Sequence, residues 1–167
     1  MPDHVDPTAN FDALLLLVGR LNYAWTNTES LLIHLIAGLA RTDKDRAIII
    51  FLTLNTTRAR IDLVERLSKL PDTPKDQKDR VLDFTTKMMK FSALRNRFSH
   101  SIYAFDPESG DARTIMMRIA DRKDGIKMGR SDIINDTAIA DIEEAIASLG
   151  ALNKTCWRMI KDFGYPA

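Results

Sequence analysis

The chain has 167 residues, of which 45% are hydrophobic and 28% are charged, and its formal net charge is +1 at pH 7. This composition is typical of one globular domain with a substantial core, and it excludes a disordered, collagen-like or disulfide-stabilised chain. The near-neutral charge also excludes a protein-wide field that attracts nucleic acid, so any binding of a polyanion must be local.

The single cysteine and the first residues predict a cytoplasmic protein. Cys156 cannot form an intramolecular disulfide, which fits a reducing compartment. Residues 1–10 lack the basic head and the small-residue cleavage site of a secretory signal. The most apolar stretch, residues 11–40, is interrupted by polar and charged side chains, so we expect no membrane contact through a spanning segment.

Apolar spacing predicts two long helices in the first part of the chain. From about residue 10 to residue 40, hydrophobic side chains recur every three, four or seven positions, which places them on one stripe of a helix. A second helix follows from a capping arrangement at Thr42. It ends before Pro71 and Pro74, because proline cannot continue a helix.

Two further helices and a hairpin are predicted after these prolines. A threonine and a proline at residues 73–74 begin the third helix, which continues to the turn residues at 106–110. From about residue 112 to residue 130 the apolar pattern changes to alternation around the tight-turn dipeptide Asp124-Gly125, which predicts a β-hairpin. The last helix covers about residues 132–163.

These elements define the predicted fold. Long helices joined by short turns bury their apolar stripes most simply against one another. The predicted fold class is therefore all-α: an antiparallel four- to five-helix bundle with a small β-hairpin between the third and last long helices. The whole chain, residues 1–167, is predicted to form a single helical domain.

A crowded polar segment near the end of the third predicted helix is the candidate site. The three histidines lack metal-ligand spacing, and sequence motifs of nucleotide-binding loops and serine hydrolases are absent, so neither a metal nor a cofactor is predicted. At about 3.6 residues per turn, Asn96, His100 and Tyr103 share one helix face. Arg95 lies at the border of the apolar stripe, about 140° from His100.

The same segment is locally basic. Between residues 87 and 100 there is no carboxylate, and the cationic side chains are Lys87, Lys90, Arg95 and Arg97. The predicted hairpin adds a second basic segment, so a phosphodiester can be held between the two. The alternative is an ordinary solvated surface.

The run Arg95-Asn96-Arg97-Phe98-Ser99-His100 resembles the R-x-x-x-x-H signature, with a polar residue directly after the arginine, of the HEPN superfamily of helical domains. The resemblance implies a four- or five-helix bundle. For many members it implies metal-independent endoribonuclease activity in toxin-antitoxin, CRISPR-associated and other defence or stress systems. It further implies a homodimer in which two motif copies line one cleft, with RNA and, for a toxin, a protein antitoxin as partners. Toxin-type members often place a tyrosine two residues after the histidine, whereas here Ile102 takes that place and Tyr103 follows it.

Carried over to these positions, the resemblance assigns catalysis to Arg95 and His100 and a positioning role to Asn96. The ribose 2′-OH is then the nucleophile, an imidazole moves its proton, and a guanidinium stabilises charge on the phosphate. This chemistry needs no metal, and DNA is expected to be inert. The substrate-binding residues predicted around the pair are Arg97, Ser99, Tyr103 and Lys90.

The sequence leaves a structural alternative open for each assignment. The polar cluster can fix a helix end or an interface, as in a non-catalytic module that binds a nucleotide or protein partner, or in a dimeric helical scaffold. Tyr103 can be a packing residue. Glu29 either supports the site through an arginine or forms an ordinary salt bridge. Its candidate partners are Arg95, Arg58 and Arg60.

Overall fold

The computed structural model describes the backbone of residues 7–167 and their side chains except at residues 7–9, 119–122 and 128. The first six residues of the segment tested for a secretory signal lie outside this range. The described chain is mostly helical, with a small antiparallel sheet. Its elements are α1 (Pro7–Glu29), α2 (Leu32–Leu39), α3 (Lys44–Thr53), α4 (Thr57–Ser68), α5 (Lys75–Met89), α6 (Ser92–Ser99), β1 (Ser101–Phe105), β2 (Ala112–Met116), β3 (Ile119–Arg122), β4 (Gly125–Met128), β5 (Ser131–Ile133) and α7 (Asp136–Asp162).

Contacts between residues divide the chain into two compact units, whose boundaries fall within α1 and α7 or beside α6. The sheet unit comprises the described residues of Met1–Tyr23 and Ser92–Ile146, and the helical unit comprises Ala24–Phe91 and Ala147–Ala167. The single domain expected over residues 1–167 stays a prediction. No helix in the described range is long and apolar enough to cross a membrane.

The first two predicted helices are each interrupted. The helix predicted over residues 10–40 breaks at Ser30 and Leu31, where the Ser30 hydroxyl donates to the Asn27 carbonyl at 2.8 Å. Side-chain hydrogen bonds of this kind offer the backbone an alternative to the helical pattern. The second predicted helix breaks after Leu54, and Thr56 caps α4 by accepting from the Ala59 N–H at 3.1 Å.

Capping residues shift the starts of two helices relative to the prediction. The N-cap of α3 is Asp43 rather than Thr42, and its carboxylate accepts from the Arg46 N–H at 2.8 Å. The N-cap of α7 is Asn135, which accepts from the Ala138 N–H at 3.0 Å, so α7 begins four residues later than expected. In both cases the side chain that satisfies an orphan helix N–H fixes the boundary.

The prediction of a third helix that continues to residues 106–110 is wrong beyond Ser99. The predicted segment contains α5 and α6, and residues 101–105 form the strand β1 instead. Residues 102, 103 and 105 are isoleucine, tyrosine and phenylalanine, which favour strands because their side chains pack well on a pleated surface. Tyr103 therefore does not share a helix face with Asn96 and His100.

A three-stranded antiparallel sheet has the order β1-β2-β5, so β2 is central. Ile102 lies opposite Ile115, and Ala104 lies opposite Arg113. A separate two-stranded hairpin is formed by β3 and β4 with residues 123–124 at its turn. The hairpin predicted near residues 112–130 is thus present, while the flanking β1, β2 and β5 form a sheet that the prediction did not include.

Each unit has its own buried apolar residues. In the sheet unit, the buried side chains of α1, α6 and α7 are Leu14, Val18, Leu21, Phe98, Ala138, Ile142 and Ala145. In the helical unit, the largest buried side chains include Trp25, Phe84, Leu149 and Met159. Burial of these apolar surfaces is the main source of stability for both units.

Candidate functional site

Six of the eight predicted site residues belong to the sheet unit, on α6 and at the start of β1. They are Arg95, Asn96, Arg97, Ser99, His100 and Tyr103. The other two, Glu29 and Lys90, belong to the helical unit. The structure therefore places the core of the predicted motif on one short helix and the strand that follows it.

Arg95 and Asn96 contact each other directly. The Arg95 Nη1 donates to the Asn96 Oδ1 at 3.1 Å. The Asn96 side chain is exposed, whereas Arg95 is half-buried. Since the amide oxygen can accept the guanidinium proton while its NH₂ remains a donor, Asn96 both orients Arg95 and offers a donor to a ligand.

The backbone of His100 is held on both sides while its side chain is exposed. Its N–H donates to the Asn96 carbonyl at 3.1 Å, which continues the helical pattern one turn beyond Asn96. Its carbonyl accepts from the Met117 N–H at 3.2 Å, which continues the pairing of β1 with β2. The imidazole therefore stands on a fixed backbone and is accessible to a ligand in the isolated chain.

Arg97 is directed at a different part of the sheet unit. Its Nε donates to the Thr114 Oγ1 at 3.4 Å, and its guanidinium carbon lies 5.0 Å from the centre of the Phe98 ring. It lines a hollow of about 530 Å³ together with polar residues from β5 and the first turns of α7, among them Asp132 and Asp141. Carboxylates beside the guanidinium make this hollow less favourable for a phosphate than a purely basic one.

The hydroxyl groups of Ser99 and Tyr103 make structural hydrogen bonds. Ser99 donates to the Asn22 Oδ1 on α1 at 2.5 Å, and Tyr103 donates to the Phe98 carbonyl at 2.5 Å. Burial raises the pKa of Tyr103 to about 12, although the positive charge of Arg97 acts in the opposite direction. Both hydroxyls anchor the last turn of α6, and the Tyr103 hydroxyl remains protonated near neutral pH.

Asn22 is a supporting residue that the sequence reasoning missed. It lies on α1, far along the chain from the motif, and its amide oxygen holds Ser99. A polar residue on the stripe beside a helix core face is the one sequence signal that Asn22 carries. That signal does not identify the distant partner.

Glu29 forms a buried network with Arg60, one of its three candidate partners. The Glu29 Oε1 accepts from the Arg60 Nη1 at 3.0 Å and from the Thr57 hydroxyl at 2.6 Å. The Arg60 Nε also donates to the carbonyls of Phe51 and Leu54, at 3.1 Å and 3.0 Å. This network ties the end of α3 and the start of α4 to α1, which is a structural role.

Lys90 lines a groove between α5 and α7 in the helical unit. The groove has a volume of about 700 Å³ and an apolar floor that includes Phe84, Leu152 and Met159. Lys87 lies on the same rim, where its ammonium group bonds to Asp83 at 2.6 Å. Lys90 is therefore placed beside an amphipathic groove rather than on α6.

Among the residues that the structure describes, no group of three or more histidine, cysteine, aspartate or glutamate side chains is arranged to hold a metal ion. Comparison with known proteins adds no relative, because no family model, no curated protein and no solved structure matches this chain. The HEPN resemblance therefore depends on residues 95–100 and on the helical character of the fold.

Proposed function

We propose that this protein is a metal-independent endoribonuclease of the HEPN type that acts on RNA through Arg95 and His100. The observation that supports the proposal is the arrangement around Asn96. The Asn96 side chain contacts Arg95, and its carbonyl receives the His100 N–H, at 3.1 Å in each case. One residue thus connects the cation to the titratable group, and both Asn96 and His100 are exposed.

The proposed reaction is an intramolecular transesterification of RNA. The neutral His100 imidazole accepts the proton of a ribose 2′-OH, and the 2′ oxygen forms a bond to the adjacent phosphorus while the bond from phosphorus to the 5′ oxygen breaks. The imidazolium then returns its proton to the departing 5′ oxygen. The products are a 2′,3′-cyclic phosphate and a 5′-hydroxyl, and no oxidant, reductant or further reactant is consumed.

Arg95 and Asn96 supply the electrostatic part of this mechanism. The pentavalent phosphoryl group carries more negative charge on its equatorial oxygens than the ground state, and a guanidinium beside it stabilises that charge. Asn96 holds the guanidinium and donates from its NH₂ group to a phosphate oxygen. A histidine ordinarily titrates near pH 6.5, so an imidazole can both accept and return a proton close to neutrality.

The remaining predicted residues support binding in this proposal. Ser99 and Tyr103 hold the end of α6 in place, and Arg97 stays a proposed contact to the RNA backbone although Asp132 and Asp141 line the same hollow. DNA is not cleaved because it lacks the 2′-OH nucleophile.

The proposal also covers the wider setting of the protein. The antiparallel four- to five-helix bundle stays a prediction, and in this proposal the chain works as a cytoplasmic homodimer in a toxin-antitoxin, defence or stress system. A protein antitoxin is then its regulatory partner. The single cysteine of the sequence fits a reducing compartment, which supports this setting.

The test is an RNA digestion assay in EDTA with purified full-length protein. We expect the wild-type chain to cleave RNA but not DNA of the same sequence, and His100→Ala or Arg95→Ala to reduce the rate at least about 100-fold, as for loss of a general base or a charge-stabilising donor. Arg66→Ala, an exposed arginine of α4, is the matched control and keeps wild-type activity.

Circular dichroism must show the same helical signal for all four proteins. Cleavage that persists in both site variants, or that EDTA abolishes, contradicts the proposal. RNA binding without cleavage in the wild type would instead favour the non-catalytic binding module.

A further inference from the structure

Among the residues that the structure describes, the first strand of the sheet has one unpaired edge. In the order β1-β2-β5, β1 pairs with β2 on one side and with no described strand on the other. The antiparallel register pairs Ile102 with Ile115 and Ala104 with Arg113, and the His100 carbonyl accepts from Met117. Because bonded positions alternate along an antiparallel strand, the even-numbered residues bond to β2. The N–H and C=O groups of Ser101, Tyr103 and Phe105 therefore point outward from the sheet.

This edge lacks the features by which proteins usually prevent pairing with another strand. The sequence Ser-Ile-Tyr-Ala-Phe contains no charge, proline or glycine. Natural edge strands are commonly protected by lysine, proline, a bulge or very short length. The outward face of the same sheet also exposes Ile102 at the β1 edge, at 50% of its full accessible area, and Ile133 on β5, at 58%.

We propose that β1 pairs antiparallel with β1 of a second copy of this chain, with a twofold axis at Tyr103. In this register Tyr103 lies opposite Tyr103 of the second copy, and Ser101 lies opposite its Phe105. All six outward N–H groups of the two strands then meet outward carbonyls. The two sheets become one six-stranded sheet, and Ile102 of each copy packs beside Ala104 of the other.

The residues that flank β1 bring an imidazole and a carboxylate together in the same register. His100 of one copy lies opposite Asp106 of the other, at a position where side chains on neighbouring strands are typically about 5 Å apart at Cβ. The Asp106 Oδ1 accepts from the Glu108 and Ser109 N–H groups, at 2.9 Å and 3.4 Å. These turn bonds, together with the nearby positive charge of Arg113, lower the pKa of Asp106 and keep its carboxylate charged.

The symmetry of this match favours a second copy over an unrelated peptide. A twofold axis brings each imidazole to a carboxylate at both ends of the pair, and no like charges face each other along the five residues of β1. A strand from an unrelated peptide would need the same pattern of polar and apolar residues in order to pair with β1 in this way. The chain itself provides it without any further sequence requirement.

The pairing gives Asp106 a positioning role at His100, a consequence that rests on the proposed function. A carboxylate beside an imidazole accepts a hydrogen bond from one ring N–H and so fixes the orientation of the ring and its tautomer. Because His100 and its symmetry mate lie at opposite ends of the paired strands, the dimer contains two separate sites. This differs from the shared cleft that the HEPN resemblance implies.

The pairing itself is tested by a cysteine cross-link in the full chain. Ile102→Cys combined with Ala104→Cys places each new thiol opposite one of the second copy, at the roughly 4.5 Å Cα separation that a disulfide accepts. We expect quantitative dimers on mild oxidation in non-reducing gels. Ile133→Cys, an equally exposed isoleucine on the β5 edge, is the control and stays monomeric in the gel.

A second variant removes the central outward N–H of β1 and leaves the residues that bond to β2 unchanged. Tyr103→Pro deletes the central outward N–H, and Tyr103→Phe controls for the hydroxyl that bonds to Phe98. In sedimentation equilibrium we expect a dimer for the wild type and Tyr103→Phe, and a monomer for Tyr103→Pro. A wild-type monomer, or a failure of the double-cysteine variant to cross-link, overturns the pairing even if Tyr103→Pro does not fold.

The role of Asp106 is tested by mixing two variants after denaturation and refolding together. His100→Ala and Asp106→Asn each damage both sites of their own dimer, but a mixed dimer has one intact site. We expect the mixture to recover about a quarter of wild-type cleavage, since half of the dimers are mixed. Activity equal to the mean of the separate variants refutes the role of Asp106. If the wild type does not cleave RNA, the proposed function fails, while the cross-link still decides the pairing.

Discussion

Replacement of Glu29 tests whether this residue stabilises the fold or supports the catalytic site. Glu29 is 8% exposed and Arg60 is 18% exposed, so their ion pair is largely buried. Glu29→Ala removes the acceptor for both Arg60 and Thr57. Loss of one partner of a buried pair typically costs about 3–5 kcal/mol. Arg60 keeps its hydrogen bonds to the carbonyls of Phe51 and Leu54 in this variant. We therefore expect the unfolding free energy to fall by about 3 kcal/mol, at the lower end of that range.

Glu29→Gln isolates the contribution of the charge. The amide oxygen still accepts from Arg60 and Thr57, so only the difference between a charged and a neutral hydrogen bond is lost. That difference is about 1–2 kcal/mol. The matched control is Asp83→Ala, whose partner Lys87 is 54% exposed while Asp83 itself is 58% exposed. Exposed pairs of this kind contribute at most about 1 kcal/mol.

Urea unfolding followed by circular dichroism measures all three variants, and the midpoints give the differences in unfolding free energy. We expect the order Glu29→Ala, Glu29→Gln, Asp83→Ala, from the largest loss to the smallest. Cleavage of RNA by the folded fraction should be unchanged. A Glu29→Ala variant as stable as Asp83→Ala refutes the structural role. A Glu29→Ala variant that folds normally but no longer cleaves RNA would instead assign Glu29 a supporting role at the candidate site.

Two further predictions concern side chains away from the site. Gly38→Ala should destabilise the chain by about 1–2 kcal/mol, because the new Cβ would lie 2.1 Å from the Tyr165 ring. Gly150→Ala on α7 has open space around the new Cβ and should raise the stability by up to about 1 kcal/mol. Equal shifts of the two variants in thermal unfolding would contradict this difference. Cys156 is buried and its pKa is raised to about 12 by burial, so alkylation at pH 8 should proceed only through unfolding. Rapid modification of the native chain, relative to a urea-unfolded control, would be inconsistent with that burial.

Sequence periodicity predicts most of the helical character because burial of an apolar stripe is a local signal. It does not predict the interruptions at Ser30 and Leu54, because a continuous stripe can be shared by two helices that meet at a turn. The hairpin is predictable from the turn signal at Asp124-Gly125, although the register pairs Gly125 with Arg122 and leaves residues 123–124 at the turn. The sheet is harder to predict, since β2 pairs with strands on both sides through contacts distant in sequence.

The end of α6 shows why the site was only partly predictable. Phe98 and Ile102 are spaced as on a helix, but residues 102–105 form a short apolar run, and such a run does not distinguish a helix from a strand. Pairing with β2 decides in favour of the strand. Because residue 103 is in a strand, Tyr103 does not lie on the predicted helix face, and its hydroxyl donates a hydrogen bond to the Phe98 carbonyl.

The junction of helix and strand is also what makes His100 suitable for chemistry. The helical pattern extends to His100, so Arg95 lies about 140° from His100 around the axis, too far for a direct approach. Asn96 lies only about 40° from His100, and its amide oxygen draws the Arg95 guanidinium toward that side. Because the helix fixes the His100 N–H and the sheet fixes its carbonyl, the backbone of His100 is held in place while its side chain is exposed. A residue held in this way remains open to substrate on one side and, at the β1 edge, to a second copy of the chain.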